Sequence, residues 1–172
     1  YIPSGGAFSD LVGLAAVYTA DMDEVSFTVS IEADHTGNPA MQGTTGADDS
    51  VTLFGMGAKV EVAGFTVAAA YGELDYNTST TATIDTNSVG ISLAYTTGAH
   101  SVGINYIDSE HSTAASTTTD GNSLQLGYKM DLGSGLFFDV AYNAVEMSDS
   151  TAGQSAGDAD YSFVEAGLGM SF

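Results

Sequence analysis

Apolar side chains recur at every second position through most of this sequence, and that period admits little besides β-strands. The clearest case is residues 24–32, where Val25, Phe27, Val29 and Ile31 alternate with Glu24, Ser26, Thr28, Ser30 and Glu32. Successive side chains of a strand point to opposite faces, so this segment has one apolar and one wet face. Residues 161–172 obey the same rule: Val164, Ala166, Leu168 and Met170 lead to a final Phe172, while Glu165, Gly167, Gly169 and Ser171 take the other parity. No helical period competes with this pattern. No run of about 18 apolar residues offers a transmembrane helix.

The alternation predicts nine strands, at about 9–19, 24–32, 50–60, 65–71, 88–95, 101–106, 123–130, 136–143 and 161–172. Between them, short connections at 21–23, 61–64, 96–99 and 131–135 alternate with long ones at 33–49, 72–87, 107–121 and 144–160. Every long connection therefore falls at one end of the sheet. That is the rhythm of an antiparallel up-and-down transmembrane β-barrel, and strands of about 8–11 residues suit a tilted bilayer crossing. The fold class is all-β, and residues 1–172 read as a single barrel domain or the C-terminal part of one. Nine is an odd number, whereas bacterial single-chain barrels have an even one. The expectation is thus either a portion of a larger barrel, or an even count in which residues 1–10 or one weak segment supply a further strand.

Aromatic placement agrees. Tyr18, Tyr71, Tyr95, Tyr106, Tyr128 and Tyr142 lie on the apolar parity near the downstream ends of their strands. Phe27, Phe65 and Phe138 lie near the upstream ends of strands that leave short turns. Because alternate strands run opposite ways, these residues would form two aromatic girdles at the membrane borders. β-propensity alone would not confine Tyr to one face.

Charge excludes several functions. The chain has 22 acidic and 2 basic residues, a net charge of -20, and no Arg. Phosphate backbones need Lys and Arg, so no nucleic acid is expected as a partner. A peripheral protein held to anionic lipid by a basic face is excluded on the same ground. Cys is absent, which removes disulfides and thiolate metal sites.

The wet parity supplies the candidate pore-lining residues: Glu24, Ser26, Thr28, Ser30, Glu32, Lys59, Asn105, Gln125, Lys129, Asp139, Asn143 and Glu165. Acids outnumber bases among them, and most remaining acids fall in the long connections. Like-charged mouths concentrate counter-ions, which predicts a mild cation preference. Asp48 with Asp49, Asp108 with Glu110, and Asp158 with Asp160 are oxygen-rich pairs suited to Ca²⁺ or Mg²⁺, although none completes an EF-hand loop. No cofactor is required. Asp34-His35 and Glu110-His111 set an acid beside an imidazole, but adjacent strand residues point apart and Ser is too common to mark a triad. Catalytic residues are expected to be absent.

The Phe172-terminated strand, the four hairpins with long loops on one side and the Tyr-ended strands resemble the C-terminal part of a Gram-negative general porin. The similarity is greatest to the acidic, arginine-poor porins of alphaproteobacteria. The resemblance implies a 16-stranded barrel, a homotrimer in the outer membrane among lipid and lipopolysaccharide, and passive diffusion of small hydrophilic solutes and cations. It also implies that Val164, Ala166, Leu168, Met170 and Phe172 close the barrel and carry the signal for insertion. Porins of this kind set wall arginines against acids on an inner loop, and this chain has no Arg to take that part. Two other readings fit the residues: a small non-conducting outer-membrane barrel with a structural or adhesive role, and a secreted surface β-protein.

Overall fold

The computed structural model describes residues 11–37, 50–77, 83–113, 117–151 and 158–170. They form nine strands: β1 (Leu11–Met22), β2 (Val25–Gly37), β3 (Ser50–Val62), β4 (Phe65–Asn77), β5 (Thr83–Thr97), β6 (His100–Thr113), β7 (Thr117–Gly133), β8 (Leu136–Thr151) and β9 (Asp158–Met170). They lie side by side in chain order in one sheet, every neighbouring pair antiparallel. This is the meander expected from the alternating connections.

The short turns explain the register. Ala63 and Gly64 both have positive φ, at 49° and 83°, and Asp23 and Gly98 do so at 52° and 55°. Two-residue turns with positive φ match the right-handed twist of the strands they join. The turn after β7 is longer, with Gly133, Ser134 and Gly135 at φ of 84°, 54° and 77°. A register shift between Asp131 and Gly133 accompanies it, and the Gly133 amide donates to Asp131 Oδ1 at 2.7 Å. Neighbouring turns are stitched together, with Thr96 N donating to Gly64 O at 2.8 Å and Asp131 N to Ala99 O at 2.7 Å.

The strands run well past the predicted ends. β4 continues from Tyr71 to Asn77, β6 from Tyr106 to Thr113, and β8 from Asn143 to Thr151. Apolar alternation stops at the girdle, but the hydrogen-bonded ladder does not, because it depends on the backbone. Most of the segment expected to be loop is therefore hairpin. At the other end β2 begins at Val25, so Glu24 sits in the turn and not on the strand.

Among the described residues there is no buried hydrophobic core. The sheet is one layer thick. Its apolar parity faces outward, with Leu14 76%, Val164 68% and Leu168 72% exposed. The other parity is sheltered despite being smaller: on β5, Ser88, Gly90, Ser92 and Ala94 are half-buried while Val89, Ile91 and Leu93 are exposed. A flat sheet would expose both faces alike. Curvature crowds the inner face and splays the outer one, so the small and polar parity is concave. A continuous apolar convex face of this extent is not tolerated in water and is what a bilayer solvates.

Candidate pore wall and outer acidic belt

Register settles which predicted residues share a face. Thr28 pairs with Lys59, Asn105 with Gln125, Gln125 with Asn143, Lys129 with Asp139, and Ala141 with Glu165. Ser26, Ser30 and Glu32 take the parity of Thr28 on β2. All of these lie on the concave face. Glu24 is the exception, being at the short-turn rim.

Three of the wall's glycines are explained by what lies across them. Glu32 faces Gly55 on the next strand, and a Cβ on Gly55 would come within 2.7 Å of Glu32 Oε1. Asp139 lies over Gly167 in the same way, at 3.2 Å, and the Phe137 ring lies over Gly169. A long side chain and a registered glycine together make one flat piece of wall. Sequence parity showed that these glycines faced inward. It did not show that each makes room for a named neighbour.

Polar contacts run across strands. Gln125 Nε2 donates to Asn143 Oδ1 at 2.9 Å, and Asn143 Nδ2 donates to Glu165 Oε1 at 3.2 Å. Lys59 Nζ pairs with Glu61 Oε2 at 2.9 Å, both side chains well exposed. Sequence reasoning placed Glu61 in a turn and so missed this partner. Lys129 Nζ stands 4.0 Å above the Phe137 ring centre.

The convex face is bounded by the two expected girdles. At the short-turn end stand Tyr18, Phe27, Phe65, Tyr95, Tyr128 and Phe138. Phe65 and Tyr95 are registered partners with ring centres 4.4 Å apart. At the long-loop end stand Phe54, Tyr71, Tyr106 and Tyr142, with Phe54 and Tyr71 6.4 Å apart. Above that upper girdle the sheet inverts its polarity. Glu73, Asp75, Asp85, Asp108, Glu110, Asp120, Glu146, Asp158 and Asp160 continue the convex parity, whereas Leu74, Tyr76, Ile84, Ile107, Val145, Tyr161 and Phe163 continue the concave one. These nine of the acids expected on loops thus form a belt on the outer surface of the extended hairpins, whereas Asp34 and Asp149 take the concave parity.

Within the belt Asp75 faces Asp85, Glu110 faces Asp120, and Glu146 faces Asp160. Tyr71 roots the belt in the girdle, its hydroxyl lying 3.1 Å from both Glu73 Oε2 and Asn87 Oδ1. Asn122 Nδ2 donates to Glu146 Oε2 at 3.1 Å. Asp75 stands beyond the membrane-spanning part of β4. Lost hydration, then the charges of Glu73 and Asp85 and a hydrogen bond with Asp85, raise its carboxyl above the ordinary 3.8. Among the suggested cation ligands, Asp108, Glu110, Asp158 and Asp160 all lie in this belt, and Asp48 and Asp49 fall outside the described residues. A hollow of about 250 Å³ gathers Asp108, Asp120, Glu146, Asp158 and Asp160. Among the described residues, no group of three or more acids or histidines is arranged to hold a metal ion.

The histidines do not pair with their neighbouring acids. His35 projects from the convex face and Asp34 from the concave one; Glu110 and His111 diverge likewise. Each imidazole meets a hydroxyl instead: His35 Nδ1 and Thr52 Oγ1 at 3.0 Å, His111 Nδ1 and Thr86 Oγ1 at 2.9 Å, His100 Nδ1 and the Tyr128 hydroxyl at 2.8 Å.

On β9, Val164, Ala166, Leu168 and Met170 take the outward parity expected of a closing strand, and Phe172 lies outside the described residues. A one-layer curved sheet with an apolar convex band, two aromatic girdles and a polar concave face is the wall of an outer-membrane β-barrel. Residues 4–169 match the family model described as Gram-negative porin, so the chain belongs to that family, and it is a protein of the outer membrane. No curated protein matches it. Among solved structures it is similar to the trimer form of in-vitro folded OmpT, an outer membrane protein of Vibrio cholerae, with 11% identity and a TM-score of 0.64. That alignment covers 92% of this chain and 54% of the other. A variant of OmpT lacking loop L8 aligns with a TM-score of 0.62, 11% identity and coverage of 91% and 54%. The chain therefore spans about half the length of the structures it resembles.

Proposed function

We propose that β1–β9 form part of the wall of a pore through which small hydrophilic solutes diffuse passively across the outer membrane, with a mild preference for cations. The observation that carries this reading is the pairing of the two faces. The convex band is apolar and exposed, as lipid requires, and the opposite face below the upper girdle is built mostly from Gly, Ala, Ser, Thr and scattered amides and charges, with Val17 and Phe137 as its large apolar members. A barrel packed solid would fill that face with bulky or interlocking side chains. This one keeps it low.

The sheet does not close on itself. β1 and β9 both run toward the short-turn end, so antiparallel pairing between them is unavailable, and an odd number of further strands is needed between these edges. A barrel of about 16 strands meets that condition and suits an alignment that covers 54% of a solved outer membrane protein. Supply of those strands by the same polypeptide, and assembly as a homotrimer like the trimeric form of OmpT, complete the proposal. The function is transport without catalysis. Divalent cations such as Ca²⁺ or Mg²⁺ would lie loosely between the acidic belt and lipopolysaccharide.

Cation preference follows from the wall charges. Lys59 is neutralised by Glu61, which leaves Lys129 as the one other lysine on the concave parity of the described strands, against acids that include Asp21, Glu32, Asp34, Asp131, Asp139 and Glu165. Reconstitution of the full-length protein in a planar bilayer under a KCl gradient tests both parts. Stepwise conductance with a reversal potential on the cation side is expected. Absence of steps would sink the pore, and an anion-selective reversal would sink the charge argument.

A further inference from the structure

We propose that the concave wall across β5–β9 carries a binding station for small zwitterions, solutes with an ammonium and a carboxylate together, such as an amino acid or a dipeptide. This deepens the pore reading and rests on it.

A cavity of about 450 Å³ indents the concave face where these strands meet. Its floor is one register row of small residues, Ala94, Gly103, Gly127 and Ala141, and Glu165 ends the row on β9. The next row toward the upper girdle is Ser92, Asn105, Gln125 and Asn143, side chains that both donate and accept. The next row toward the short turns contains Lys129 and Asp139. A trough one residue wide is thus walled by amides on one side and by opposite charges on the other.

The charges beside the trough are not paired with each other. Lys59 is closed off by Glu61 at 2.9 Å. Lys129 and Asp139 are registered partners, yet neither is spent on the other. The Lys129 ammonium lies over the Phe137 ring at 4.0 Å, while the Asp139 carboxylate lies against Gly167. Glu165 is anchored by Asn143, which fixes its carboxylate at the end of the trough. The arrangement offers a cation to a solute's carboxylate and two carboxylates to its ammonium. An uncharged solute of the same size would displace water from these groups and return less. A solute of one sign would satisfy only one side. The cavity is at the small end of ligand pockets, which limits the occupant to roughly dipeptide size. Its open mouth gives weak, rapidly exchanging binding, as a conducting pathway needs.

Gly127 provides a clean handle, because a Cβ built there meets nothing within 4 Å. A side chain there starts into the trough with its Cβ clear of the wall.

The test uses the full-length protein in a planar bilayer, with KCl current as readout. Glycylglycine at millimolar concentration is expected to cause brief current interruptions whose frequency saturates, and uncharged N-acetylglycinamide is expected not to. Lys129→Gln should shorten the interruptions on the order of tenfold, the scale of one lost charged hydrogen bond, and Gly127→Val should shorten them by occupying the trough. Asp139→Asn is a second charge variant if Lys129→Gln does not insert. Equal interruption by both compounds, no interruption in the wild type, or residence times unchanged in the variants would overturn the station while leaving conductance intact. Absence of any channel steps would instead take down the pore reading and the station with it.

Discussion

Ala63 is the least comfortable residue in the short turns. Its φ of 49° lies in the left-handed region, where a Cβ crowds the following carbonyl. Its neighbour Gly64 is required twice: φ is 83°, and a Cβ would run into the Thr96 carbonyl of the adjacent turn. Ala63→Gly is therefore expected to stabilise the folded protein by about 0.5–1 kcal/mol. Gly64→Ala is expected to destabilise it by more than that amount. Urea midpoints of the protein in lipid vesicles check both, and a stabilising Gly64→Ala would contradict the turn geometry. At this scale the sequence showed facing but not contact. Period two placed Lys59, Gln125 and Glu165 on the wet side. It could not show that Lys59 is neutralised by Glu61, because the strand was expected to end before that residue.

The elements were legible in number, order and sense, and illegible at their long-loop ends. The reason is visible on β4. From Phe65 to Tyr71 the convex residues are apolar, and the pattern announces a strand. From Glu73 to Asn77 they are acidic or polar while Leu74 and Tyr76 turn inward, and the pattern reverses without any break in pairing. A reader of hydropathy sees a strand stop, whereas the bilayer stops and the strand goes on. The same reversal occurs on β6 past Tyr106 and on β8 past Ala144. This predicts a sharp dependence on height along one face. Ile91→Arg, exposed on the convex face of β5 between the girdles, should cost about 2–4 kcal/mol. Glu146→Arg, the same parity above the upper girdle on β8, should cost far less, since the lost hydrogen bond from Asn122 is offset by facing Asp160. Equal losses from both in vesicle unfolding would place the membrane border in the wrong part of the sheet.

For the whole molecule, the consequence of a net charge of -20 is that the protein is strained by its own field above the membrane. The belt sets acid against acid across strand pairs, at Asp75 and Asp85, Glu110 and Asp120, and Glu146 and Asp160. Like charges directly opposite destabilise a sheet. Asp75 shows the direction of the effect, since its carboxyl is raised above 3.8 in the folded protein. A raised acid binds its proton more tightly folded than unfolded. Its penalty is therefore fully present above the raised value, and falls away as pH drops through that value toward 3.8. Mild acidification toward the range in which Asp75 takes up its proton should therefore stabilise the β4–β5 hairpin that carries it. Millimolar Mg²⁺ or Ca²⁺ should do the same at neutral pH by lying between the facing carboxylates, and monovalent salt should do so more weakly by screening. Asp85→Asn removes one member of the Asp75 pair and should make the hairpin tighter at pH 7, with less further gain on acidification. Hydrogen exchange of the β4–β5 backbone amides, followed against pH and divalent concentration, reads this directly. Exchange that slows with acid and with Mg²⁺ in the wild type, and responds less in Asp85→Asn, is the expected outcome. Exchange that quickens on mild acidification would mean that the belt is held together by its charges and not opposed by them.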